Sequence, residues 1–281
     1  MKVDILSDLH LDFYFKQNGV TTSEVAELFT PIFTQNNSRS LGDVLVIAGD
    51  IGHYNEQNIE ILKILQDKYY KYIVCVLGNH DYFISNRIQE DNYEDNSFNR
   101  VKQMRDLINT QKNMFCLDGD VVEIDGVKFG GCDGWYDGSY LKYHYPFGRF
   151  SQKSNNQLWS NCMNMDFRFI RGISNFDDIF KVELPKIQSV YQECDVMITH
   201  INPSYLQEHL SKQYSKQQSN MFFCFNGHEY INNGSMKYWI FGHTHDSLSY
   251  KYKGVECICN SMGFHDNDIP IIKSIEIQKE I

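Results

Sequence analysis

The chain has 281 residues, 42% hydrophobic, 22% charged and 14% aromatic, with five prolines and a formal net charge of −10. This apolar share excludes a disordered chain, and the acidic balance excludes nucleic-acid binding through a broad basic face. No run of 18 apolar residues occurs, so no membrane-spanning helix is expected. Asp8 and His10 come too early for a signal peptide, which makes the expected location cytoplasmic.

Residues 3–6 form a short apolar run that stops at Ser7-Asp8-Leu9-His10. A helical segment at 23–33 and a polar loop at 35–39 lead to a second run, 43–48, which stops at Gly49-Asp50. Apolar residues at helical spacing over 58–70 predict a crossover helix. The third run, 72–77, stops at Gly78-Asn79-His80-Asp81, and a helix is expected over 98–108. Residues 121–129 read as a hairpin turning at Asp125-Gly126. The stretch 134–185 is rich in Tyr, Asn, Phe and Arg and lacks period; it reads as loops and helices inserted beside the site within a single domain spanning 1–281. Two further runs, 195–199 and 238–241, stop at His200 and at Gly242-His243-Thr244-His245. A second hairpin at 250–259 and a terminal strand at 271–277 complete the order. Short β-branched runs without alternation are strands buried on both faces.

The eight cysteines are scattered without a CxxC pair, so they read as reduced, buried thiols rather than as a zinc ribbon. The informative feature lies elsewhere. Five apolar runs each deliver a polar, metal-capable group to their C-terminal end, where open α/β sheets bind ligands. In extended chain, residues two apart share a side, so Asp8 with His10, and His243 with His245, can grip one ion. Carboxylate, imidazole and amide oxygen together suit Mn²⁺, Fe or Zn²⁺ rather than a thiolate-seeking ion.

The ordered set Asp8-x-His10, Gly49-Asp50, Gly78-Asn79-His80-Asp81, His200 and Gly242-His243-Thr244-His245 resembles the calcineurin-like metallophosphoesterase superfamily. Residues 129–136 and 163–171 are similar to segments of its small bacterial and phage-type phosphohydrolases. The resemblance implies an α/β fold, a four-layer α/β/β/α sandwich with two central mixed sheets. It also implies two divalent metal ions, Mn²⁺ first and Fe or Zn²⁺ as alternatives. Asp8, His10 and His245 would bind one ion, Asn79, His200 and His243 the other, and Asp50 would bridge them. His80 would face the substrate. The expected reaction is in-line attack of a metal-bridging hydroxide on a small or nucleotide-like phosphodiester or phosphomonoester. Coordination lowers the pKa of water to about 7, and an imidazole suits protonation of the leaving group. The alternatives are a nuclease acting on DNA or RNA ends, and a non-catalytic metal-binding scaffold for protein partners. Extended duplex nucleic acid and membranes are not expected partners.

Two departures matter. No Arg follows Gly49-Asp50, unlike the protein-phosphatase branch, and no second His follows His200. His53 reads as a phosphate contact or as an exposed loop residue, and Asn202 as a turn cap before Pro203. Asp81 reads either as orienting the ligands or as capping the next helix. Trp135, Tyr136, Arg149 and Arg168 are the expected substrate contacts. His209, His228 and His265 read as surface residues.

Overall fold

The computed structural model describes residues 1–34, 40–214, 216–263 and 271–278. They contain strands β1 (Lys2–Leu6), β2 (Val44–Ala48), β3 (Tyr72–Val76), β4 (Met114–Cys116), β5 (Asp120–Ile124), β6 (Val127–Gly131), β7 (Val196–Ile198), β8 (Tyr238–Phe241), β9 (Ser249–Tyr252), β10 (Val255–Cys259) and β11 (Lys273–Glu276). One sheet has the order β11-β1-β2-β3-β4, the other β5-β6-β7-β8-β10-β9. The neighbours among β1 to β4 run parallel, as do β6-β7, β7-β8 and β8-β10, while β11, β5 and β9 pair antiparallel. Both sheets are therefore mixed.

Alternation of side chains explains the layering. In register across β1, β2 and β3, Val3, Ile5, Val44, Val46, Ala48, Val74 and Val76 point inward, against Phe129, Val196, Ile198 and Ile240 of the other sheet. Each of these buried side chains contributes up to about 1.5–3 kcal/mol. The intervening residues Leu45, Ile47, Ile73 and Cys75 face outward onto the helices Thr22–Thr34, Asn55–Tyr69 and Ser97–Asn109. On the far side, Met197 and Trp239 share the core with Ile187 and Val190 of the helix Asp178–Val190. The result is the expected four-layer α/β/β/α sandwich.

The turn at Asp125-Gly126 has φ of 48° and 80°, and Lys253-Gly254 has φ of 50° and 95°, the left-handed pair of a type I′ hairpin. Strand β4 is not anticipated by the sequence; three residues are too few to carry a pattern. Residues 134–185 hold the helices Ser139–His144, Gln152–Cys162 and Asn164–Phe169 and the start of Asp178–Val190, with no strand among the described residues. No described helix is long and apolar enough to cross a membrane. All eight cysteines are free thiols and seven are buried, Cys162 being exposed.

His209 and His228 depart from the sequence reading: both are buried. His209 Nδ1 and His228 Nε2 lie 2.8 and 2.9 Å from Ser204 Oγ, and the rings stack on Tyr250 and Tyr252. The tyrosines of β9 supply the cover that no local sequence pattern announces. The expected loop at 35–39 and His265 lie outside the described residues.

Candidate metal centre

The parallel strands β1, β2 and β3 of one sheet and β7 and β8 of the other end on the same rim, and the turns beyond them interlock. Asp8 N donates to Gly49 O and His10 N to Asp50 O, both at 3.0 Å, which ties the turn after β1 to the turn after β2. His200, after β7, donates from Nδ1 to Ala48 O at 2.8 Å and so couples the two sheets. His243 N, after β8, donates to both Asp8 carboxylate oxygens at 2.9 and 3.2 Å. A Cβ on Gly49 would collide with the His200 ring, and one on Gly78 with the Asp50 carboxylate, so glycine precedes both Asp50 and Asn79 because the chains touch there.

Asp8, His10, Asp50, His243 and His245 have φ between 43° and 68°, a region that non-glycine residues rarely occupy. Five such residues on one rim represent conformational strain of about 1 kcal/mol or more each, of the kind that collects at functional sites.

The structure brings together all seven residues that the resemblance singles out as ligands. Asp8, His10, Asp50 and His245 offer donor atoms within 4.8 Å of one another; so do Asp50, His200 and His243, and Asp50 belongs to both groups. Tautomers give this grouping its chemical meaning. His200 Nδ1 and His243 Nε2 face carbonyl oxygens, Ala48 O and Phe222 O, so both must carry hydrogen. In a neutral ring the other nitrogen presents a lone pair, as it does in His243. His200 Nε2 and His243 Nδ1 point at Asn79 Oδ1, 3.0 and 2.9 Å away, and this oxygen is also an acceptor because Asn79 Nδ2 donates to Asp166 Oδ1 at 2.8 Å. Asp50 Oδ2 has no hydrogen-bond partner among the described residues and lies 3.4 Å from His200 Nε2. On the other side, His10 Nε2 and His245 Nε2 face each other at 3.0 Å, with Asp8 Oδ1 3.6 Å from His245. Carboxylate, amide and imidazole donor atoms gathered in one buried place fit a cation.

Charge follows from burial and neighbours. Burial lowers His10 to about 4, and burial with the adjacent His200 lowers His243 to about 3, so both rings are neutral, the form that binds metal. His200 moves the other way, up to about 10: burial opposes its charge, but Asp50 more than offsets this, so with no ion bound its Nε2 carries a proton facing Asp50 and Asn79, which a cation would replace. Asp50, despite its burial, is held well below the usual carboxylate range by His200, His80 and His10.

The surrounding groups hold these turns in place. The Asp81 carboxylate accepts from Ile51 N, Gly52 N and Gly78 N, at 2.8 to 3.2 Å, so it both closes its own turn and orients the Asp50 turn. The buried Arg100 donates to the carbonyls of Gly52, His80 and Phe83. His53 is neither a free loop residue nor in contact with the cluster; it stands between Asp12 Oδ2 and His80 Nδ1, 3.0 Å from each. His80 itself is partly buried and packs edge-on to His10 at 4.4 Å.

The calcineurin-like phosphoesterase model matches residues 1–247. The chain belongs to that family. Its resemblance to the mimivirus protein L509 (Acanthamoeba polyphaga mimivirus) amounts to 23% identity over 238 residues, 78% of each chain. Among solved structures, a phosphopantetheinyl hydrolase from Mycobacterium tuberculosis superposes with a TM-score of 0.64 at 15% identity, covering 98% of this chain and 95% of the other. That likeness concerns the fold. A metallophosphoesterase from Sphaerobacter thermophilus gives a TM-score of 0.34 at 14% identity, over 98% of this chain and 84% of that one.

Beside the cluster lies a cavity of about 350 Å³, and Asp50, Asn79, His80, His243, Thr244 and His245 from the cluster turns line it. Cys162, Met163, Asn164, Met165, Asp166 and Phe223 complete the lining. The structure does not bring the four expected substrate contacts into this wall. Trp135 is wholly buried, with its N–H donated to Phe176 O at 3.1 Å. Tyr136 is also buried and donates to Asp166 Oδ2 at 3.0 Å, behind the cavity rather than in it. Arg149 and Arg168 are exposed and lie outside the lining. The aromatic residues of this segment are core, as their bulk and apolar surface favour. Asp166 and the two methionines are the residues that sequence reasoning missed; residues 163–171 stood out by resemblance, but Arg168 drew the attention that belongs to Asp166.

Proposed function

We propose that this phosphoesterase is a dinuclear enzyme that hydrolyses a small or nucleotide-like phosphodiester or phosphomonoester. The observation that carries the proposal is the convergence of metal-capable donor atoms from Asp50, Asn79, His200 and His243 in one buried place, next to the facing rings of His10 and His245. In this reading Asp8, His10 and His245 hold one divalent ion, Asn79, His200 and His243 the other, and Asp50 is shared. Mn²⁺ fits this mixed oxygen and nitrogen donor set, and Fe or Zn²⁺ would also suit it. When bound, such ions offset charge on the phosphoryl oxygens and make water available as a nucleophile near neutral pH.

The chain's own residues do the rest. Asp12 and His53 hold His80 by its Nδ1, which aims the ring at the cavity it lines. Burial with His10 and His53 alongside keeps His80 neutral in the free protein, so it takes up a proton only with the anionic phosphoester beside it. It then passes that proton to the departing alcohol oxygen as the P–O bond breaks, while the water whose oxygen bonds to phosphorus releases its own proton to solvent. Asp166 holds the Asn79 amide with its oxygen toward the two histidines. The reading takes residues 1–281 as one domain, with 134–185 an insertion that walls the cavity. Free thiols at every cysteine suit a reducing compartment such as the cytoplasm.

The test is turnover of bis-p-nitrophenyl phosphate by the full chain with Mn²⁺. EDTA, Asp50→Ala and His243→Ala should each abolish it, and His80→Ala should lower kcat by about 10²- to 10⁴-fold. Activity that survives chelation and both ligand substitutions overturns the proposal.

A further inference from the structure

The part of the cavity lining that lies outside the cluster turns has a composition unusual for a site that handles phosphate. Among the described residues that line the cavity there is no Lys or Arg; the charged groups there are the carboxylates Asp50 and Asp166. The wall itself is soft and apolar. Met163 marks the corner where the helix Gln152–Cys162 ends and the helix Asn164–Phe169 begins, and Met165 follows two residues on, as the second residue of that helix. Met165 is 46% exposed, so it faces the cavity mouth and does not pack into the core. Phe223 completes the wall, its ring 5.1 Å from that of His243.

We infer that the phosphoester cleaved at this site carries one compact apolar or aromatic group and no second anionic group, with Met163, Met165 and Phe223 selecting it. This rests on the phosphoesterase reading and narrows it. Methionine is flexible and polarisable, so a pair of thioethers beside a ring adapts to an apolar or aromatic group and favours contact with an aromatic face. A second phosphate or a carboxylate on the substrate would be stripped of water against thioethers, with Asp166 rather than a cation nearby. Size points the same way. About 350 Å³ lies at the low end of the roughly 300–1,000 Å³ of ligand pockets, which leaves space inside for one phosphoryl group and one modest organic group.

Phosphonates that cannot be hydrolysed test this without ambiguity about which ester arm occupies the wall. Calorimetric titration of the Mn²⁺-loaded full chain should give butylphosphonate about tenfold tighter binding than methylphosphonate, as expected for three partly buried methylenes. The carboxylate-bearing 3-phosphonopropionate should bind more weakly than butylphosphonate. Met165→Lys should invert that last preference. Equal binding of the methyl and butyl compounds, or wild-type preference for the carboxylate, overturns this inference while turnover of bis-p-nitrophenyl phosphate leaves the phosphoesterase reading standing. If neither turnover nor phosphonate binding occurs, both readings fall.

Discussion

Asp166 is the residue through which the segment 134–185 reaches the cluster. Its Oδ1 accepts from Asn79 Nδ2, its Oδ2 accepts from the Tyr136 hydroxyl, and that hydroxyl in turn accepts from Trp159 Nε1 at 2.8 Å. Burial pushes the carboxyl up to about 7, while the two donated hydrogen bonds draw it back toward the charged form. An asparagine amide has no intrinsic preference for which end faces a cation, so the acceptor at Asp166 decides it. Asp166→Ala should therefore weaken Mn²⁺ binding or activity by about 10- to 100-fold, with the chain still folded by circular dichroism. Asp166→Asn, which keeps an acceptor for Asn79, should recover most of that loss; equal loss in both variants would mean that charge and not orientation matters. Asp50 and Asn79 were legible because each follows a glycine at a strand end. Asp166 was not, because it sits on a six-residue helix 87 positions from the amide it holds, and no spacing rule links them.

At the scale of elements, the loop after β7 shows what strand-end reasoning leaves out. Asn202 closes its turn by accepting from Ser204 N and Tyr250 Oη, at 3.1 and 2.6 Å, as the Pro203 context suggests. The burial of His209 and His228 depends instead on β9 folding back over them, a contact of high sequence separation. Burial lowers the pKa of both rings, against a raising influence of Glu208 on His209, and His209 further lowers His228; Tyr205, Tyr250 and Tyr252 pack on the rings without supplying charge near neutral pH. The folded state thus binds fewer protons than the unfolded chain, whose imidazoles titrate near 6.5. Their stabilisation is complete above that value and is lost as pH falls below it. The drop in Tm between about pH 7.5 and about pH 5.5 should be smaller in His228→Gln than in the wild type, and the difference cancels the contribution of histidines elsewhere. Identical drops would show that the Ser204 cluster does not titrate with folding.

At the scale of the molecule, the layering was readable because β2 and β3 are apolar at nearly every position and each central strand ends on a polar group. The cavity wall was not, since Met163, Asn164 and Met165 bridge two short helices and follow neither the helical nor the strand period. The same rim concentrates cost: five residues are left-handed, and one buried Asp50 oxygen has no hydrogen-bond partner among the described residues, its charge being offset chiefly by His200. Whatever binds there and not to the unfolded chain must raise global stability, because the rim joins the ends of both sheets through His200 and Ala48. At a hundredfold excess over Kd, one bound ion adds about 2.7 kcal/mol. For a chain of this length, roughly 2 °C per kcal/mol puts the rise in Tm with Mn²⁺ at about 5 °C, reversible by EDTA. Asp50→Asn keeps the shape of the shared residue but removes its charge, so calorimetric scans of that variant should show less than about half of the rise. A wild-type Tm indifferent to Mn²⁺ and its removal would mean that the seven side chains are held by the fold alone, and a full rise in Asp50→Asn would place the ion elsewhere.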